Sequence, residues 1–85
     1  MKITIKTTTL LKNPTIHIES IETPTYTITP KVPIEVEYHE DWGDIWLYFK
    51  SGDEARIINI QWDKINNQFK GEITGYNFHH LINNI

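Results

Sequence analysis

Cysteine is absent from this 85-residue chain, which removes disulfide scaffolds, thiol nucleophiles and Cys-based zinc sites. Stability must then come from apolar packing and from a hydrogen-bonded sheet ladder, and the lack of thiols fits a reducing compartment. Serine is nearly as scarce: Ser20 and Ser51 stand alone, neither with a histidine beside it. With only four glycines there is no Gly-x-Ser-x-Gly elbow, phosphate loop or dinucleotide fingerprint. The expectation is a protein without enzymatic activity or cofactor. Long apolar runs are also missing. The start of the chain lacks the unbroken apolar core of a secretory signal, and no run approaches the length of a bilayer span, so the chain reads as soluble and cytoplasmic, with no membrane partner. Charge of either sign is modest. A formal net charge of −3 predicts neither a nucleic-acid partner nor a DNA mimic.

A chain of this length makes one domain, residues 1–85, burying roughly 60–65% of its unfolded surface. What it has in abundance is isoleucine, threonine and asparagine. The first and last are common in AT-rich genomes, and by composition they point to a low-GC bacterium or its phages. The first two are β-branched and favour the pleated sheet. Ile3 and Ile5 alternate with Lys2, Thr4 and Lys6, the period of a strand with one apolar face. After Asn13-Pro14, Ile16 and Ile18 alternate with His17 and Glu19 in a second strand. Tyr26 and Ile28 share a face of a third, which Pro24, Pro30 and Pro33 bracket as an edge strand or irregular crossover.

In the centre, Ile34, Val36 and Tyr38 alternate with Glu35, Glu37 and His39. Residues 40–44 supply a turn, and Ile45-Trp46-Leu47-Tyr48-Phe49 returns as the second arm of a hairpin. That arm is apolar on both faces, so it is either covered on each side or exposes Trp46 and Tyr48 as an aromatic pair.

Residues 53–70 fit two patterns. Ala55, Ile58, Trp62, Ile65 and Phe69 have helical spacing, with Ser51-x-x-Glu54 as a capping box. Ile58, Ile60 and Trp62 also alternate, and Asn66-Asn67 is a good turn, which favours a hairpin. Phe78, Leu81, Ile82 and Ile85 then recur at the spacing of a short amphipathic C-terminal helix, with Asn77 available as its N-cap. The fold expected is mainly β: an antiparallel meander of five or six strands, a small sandwich or partly open barrel, with a short C-terminal helix. An α+β fold with a helix at about 53–70 is the alternative.

Polar chemistry concentrates at His39-Glu40-Asp41 with Asp44. Histidine and carboxylates can hold a divalent metal or move protons, but neighbours on a strand point to opposite faces, and the simpler reading is a solvated hairpin tip with no metal. His79-His80 is a poor ligand pair, since helical neighbours diverge by about 100°. One of them near the helix C-terminus complements the dipole.

The acids Glu35, Glu37, Glu40, Asp41 and Asp44 follow one another with no base between Lys31 and Lys50, whereas Lys2, Lys6 and Lys12 precede every acid. Either the Lys2/Lys6 strand lies beside the Glu35/Glu37 strand, or the acidic hairpin is a recognition edge for a protein partner with a basic surface. The function expected is protein binding by a small phage or mobile-element accessory protein, inhibiting or modulating its partner by surface occlusion. Its contact residues would be Glu35, Glu37, Asp41, Trp42 and Asp44, with Trp46 and Tyr48 on the aromatic arm. The alternatives are a structural subunit that self-assembles through the Thr-rich first strand as an open edge, and a small nucleic-acid-binding barrel. Only Lys50 and Arg56 lie near the aromatics, too few cations for the last.

Overall fold

The computed structural model describes residues 1–7, 18–32 and 34–85. Among these residues seven antiparallel strands form one sheet: β1 (Lys2–Thr7), β2 (Ile18–Glu22), β3 (Thr27–Ile28), β4 (Glu35–His39), β5 (Asp44–Tyr48), β6 (Glu54–Asp63) and β7 (Gln68–Glu72). The helix α1 (Gly75–Asn83) follows. The strand order is β3-β2-β1-β7-β6-β5-β4, two meanders joined where β1 pairs with β7 along Lys2↔Glu72 to Lys6↔Gln68. The described sheet thus has seven strands where five or six were expected, and the expected third strand is the two-residue β3 at an edge. Of the second predicted strand, Ile18 and Glu19 fall in β2, while Ile16 and His17, like Pro33, lie outside the described residues.

Residues 54–72 form a hairpin, not a helix. The reason lies in an extra residue in β6. Ile58 pairs with Glu72 but Gln61 pairs with Lys70, so three steps on β6 match two on β7, a β-bulge that reverses the inward parity. Ala55 and Ile57 are buried before it, and Ile60 and Trp62 pack against the core after it. Asn59 sits at the bulge with a φ of 54°, a left-handed conformation asparagine tolerates better than most residues. Opposite, Gly71 is buried. A Cβ there would lie 2.7 Å from the Ile57 and Ile60 side chains and 3.0 Å from the Ile58 carbonyl oxygen, so only glycine fits the bulge.

The bulged β6 is shared. Its first half pairs with β5 and its second with β7, and the side chains buried from both halves of the sheet form one cluster that includes Ile3, Ile5, Ile21, Leu47, Ile57 and Phe69. The sheet therefore curls round a single core. α1 packs against β6, with Leu81 fully buried, and reaches the β2–β3 connection through Phe78, whose ring centroid is 6.4 Å from that of Tyr26. Its N-cap is Thr74, whose hydroxyl accepts from the Asn77 N–H. Asn77, the expected cap, lies inside the helix, and its side-chain oxygen accepts from the Arg56 N–H of β6. Among the described residues no helix is long and apolar enough to cross a membrane.

Two expectations fail on the strand order. β1 lies between β2 and β7, so both its sides are already hydrogen-bonded and it is not the open edge on which self-assembly would depend. It also does not neighbour β4. Lys6 pairs instead with Glu22 of β2 at 2.8 Å, leaving the Glu35/Glu37 strand without the lysines that might have neutralised it.

Candidate functional site

Alternation places Val36, Ile45, Leu47, Ala55 and Ile57 in the core and turns the intervening side chains of β4, β5 and β6 outwards. The register sets these in cross-strand rows: Glu35–Tyr48–Glu54 and Glu37–Trp46–Arg56, with His39 opposite Asp44. The outer face of this half of the sheet therefore carries acids on the edge strand, aromatics down the middle and an arginine on the far side.

The rows are tied together by charge. Asp44 is 3% exposed. Its Oδ1 lies 2.9 Å from His39 Nδ1, and its Oδ2 accepts from Arg56 Nε at 2.7 Å. The other His39 ring nitrogen, Nε2, contacts Glu37 Oε1. An imidazole with a carboxylate on each nitrogen satisfies both only as the imidazolium, which has two N–H donors. The Glu37 contact, reinforced by Asp44, accordingly raises the His39 pKa, against the smaller opposing effect of burial. Burial by itself would raise the Asp44 pKa, but the hydrogen bonds and charges of Arg56 and His39 outweigh it and the net shift is downwards. The Arg56 guanidinium also lies 5.9 Å from the Trp46 ring centroid, a cation–π contact. Tyr48 donates to Glu37 Oε2 at 3.5 Å, and burial with the nearby Glu37 and Glu54 charges raises its phenol pKa.

The turn beyond this cluster is held firmly. The Gly43 N–H donates to the His39 carbonyl, and the Gly43 carbonyl accepts from the Ile60 N–H at the β6 bulge, both at 2.9 Å. Gly43 takes a φ of 65°, which glycine adopts without steric cost. On that turn Trp42 is 79% exposed.

Of the seven predicted contact residues, Glu35, Glu37, Asp41 and Trp42 are exposed, and Trp46 and Tyr48 are half-buried. Asp44 is the exception: it is not part of a solvated tip but a buried anchor, because the turn brings it opposite His39 and the neighbouring strand brings Arg56. Reading the sequence missed Arg56, the only arginine in the chain, whose pairing depends on β6 lying next to β5. His39 gathers Glu37 and Asp44, not its chain neighbours, and among the described residues no group of His, Asp or Glu side chains is arranged to hold a metal ion. At the other end of the chain, His80 lies in the last turn of α1, 3.9 Å from Asp53. No protein-family model matches the chain, and no curated protein or solved structure matches it.

Proposed function

We propose that this domain is a non-enzymatic protein-binding module that docks the β4–β5 hairpin on a partner with a basic surface and occludes what it covers. It would act as a small inhibitor or modulator, of the kind that phages and other mobile elements carry. Trp42 carries the proposal. A tryptophan 79% exposed on a turn hydrogen-bonded to β4 and to β6 holds a large apolar surface in water with little conformational freedom left to lose on binding, the profile of an interface hot spot. Asp41 beside it and Glu35 and Glu37 along the edge strand are exposed acids that steer a basic partner towards the tip and oppose acidic ones.

The test is affinity capture with the chain as bait, followed by calorimetry on the captured partner. Trp42→Ala should weaken binding by about 2 kcal/mol, roughly thirtyfold in Kd. Adding Glu35→Lys and Glu37→Lys should weaken it further and make the association less sensitive to salt. A triple variant that keeps every interaction at full strength refutes the reading.

A further inference from the structure

The two edges of the sheet are unlike. β3 has two residues and lies between Pro24 and Pro30, so it offers almost no ladder to another strand. β4 has five, none of them proline, and among the described residues it pairs only with β5. In an antiparallel ladder every second residue points its N–H and C=O to the same side, so alternate peptide groups of β4 face away from β5 and open the sheet to one more strand.

The side chains say which strand fits. Glu35 and Glu37 are exposed, Val36 is buried and Tyr38 is half-buried at the rim of the core. Over residues 35–56, seven carboxylates (Glu35, Glu37, Glu40, Asp41, Asp44, Asp53 and Glu54) are set against Lys50, Arg56 and His39. His39 and Arg56 are held by acids of the cluster, and Glu35 has no ion-pair partner among the described residues. We propose that β4 is a docking edge for an extended partner segment of about five residues that pairs as an eighth strand, with lysine or arginine opposite Glu35 and Glu37 and apolar side chains beside Val36 and Tyr38. The inference rests on the protein-binding reading above and adds the mode of recognition. A second copy fits badly: antiparallel pairing of two β4 strands about their midpoint sets Glu37 against its own counterpart, and like charges directly opposite destabilise a sheet. The glutamates therefore block self-pairing while admitting a basic strand.

The probe is a capped decapeptide of alternating lysine and valine, titrated at low salt into isotope-labelled protein and followed by NMR shifts and amide exchange. Shifts should centre on residues 35–39, with slowed exchange at alternate β4 amides. The same peptide N-methylated at alternate residues keeps its charges but loses backbone donors, and should bind at least about tenfold more weakly. A glutamate–valine peptide should not bind the natural protein but should bind the Glu35→Lys/Glu37→Lys variant, whose substitutions lie on exposed positions. Equal binding of the N-methylated peptide, shifts centred elsewhere, no binding of the parent peptide, or dimerisation of the protein through β4 would each overturn strand addition. The protein-binding reading is decided separately, by Trp42→Ala against the captured partner.

Discussion

Replacing Asp44 by asparagine tests whether the outer face is a structured cluster or a loose set of surface charges. The carboxylate accepts on both oxygens, from Arg56 and facing His39. An amide of the same shape has one acceptor and one NH2 group, so it keeps one of these contacts and at the other sets a donor against Arg56 or against the His39 imidazolium, which must lose its Nδ1 proton to accept from it. A hydrogen bond to a charged group contributes about 1.5–3 kcal/mol. The partners are not sealed from water, since the side chains of His39 and Arg56 are 33% and 43% exposed. The freed donor will be hydrated, which puts the cost of Asp44→Asn at about 1–2 kcal/mol. In a domain of this size that is a fall in Tm of roughly 5–15 °C, measurable by calorimetry or as a lowered denaturation midpoint with unchanged slope. A second readout separates the cluster from a general loss of packing: with one carboxylate gone, the His39 pKa, followed by NMR, must fall relative to the parent. If stability changes by less than about 0.5 kcal/mol and the His39 titration does not move, the cluster as described is wrong.

Gly71→Ala should destabilise by about 1–3 kcal/mol through overpacking against Ile57, Ile60 and the Ile58 carbonyl, whereas Gly75→Ala, at the start of α1 with nothing within 4 Å of the added carbon, should not; chemical denaturation of the two variants is the comparison. Trp42→Ala should leave stability within about 0.5 kcal/mol of the parent, because the ring is 79% exposed, so any loss of partner binding is a loss of contact and not of fold. The charge pair has a pH window. His39 has a raised folded pKa, so its contribution is complete below its unfolded value and fades as pH rises through the folded one. Asp44 has a lowered pKa, so its contribution is complete above its unfolded value and is lost as pH falls through the folded one. The cluster should therefore stabilise most between about pH 4 and 6.5, and the stability difference between parent and His39→Gln should shrink above that range in denaturation curves taken at stepped pH.

Strand identity was legible in the sequence wherever one strand kept one parity. Ile3 and Ile5, or Val36 with Leu47, announce their inward faces by simple alternation. Residues 53–70 resisted because a bulge joins two half-strands of opposite parity. The inward set runs Ala55, Ile57, Ile60, Trp62, a spacing of two, three and two, which lies close enough to helical spacing that Ile58 and Ile65 complete a false stripe. The structure shows why the stripe is false: Ile65 is 92% exposed on the β6–β7 turn, where a helix would have buried it. The closure of β1 against β7 left no local trace at all, since it joins segments more than sixty residues apart and is recorded only in the fit of Ile3 and Ile5 with Phe69 in the core.

The same distinction governs the site. Period two puts Glu35 and Glu37 on one face of their strand and Trp46 and Tyr48 on one face of theirs; that the two faces are the same one follows from the register of β4 with β5. How they are linked does not follow from period two either, because that depends on register and on the strand beyond. Part of the register was nonetheless within reach. Once residues 40–43 are the turn, His39 and Asp44 must stand opposite each other, and an aspartate in that position at the start of an apolar arm needs a cation to be buried. Only Lys50 and Arg56 lie nearby in the chain, and the return of β6 antiparallel to β5 brings Arg56 into the row of Trp46, adjacent to Asp44. The consequence reaches the proposed recognition edge. With Asp44 occupied inside the sheet by Arg56, the only arginine in the chain is not available to neutralise Glu35, and the negative charge of β4 stays on the outside, where a partner strand would meet it.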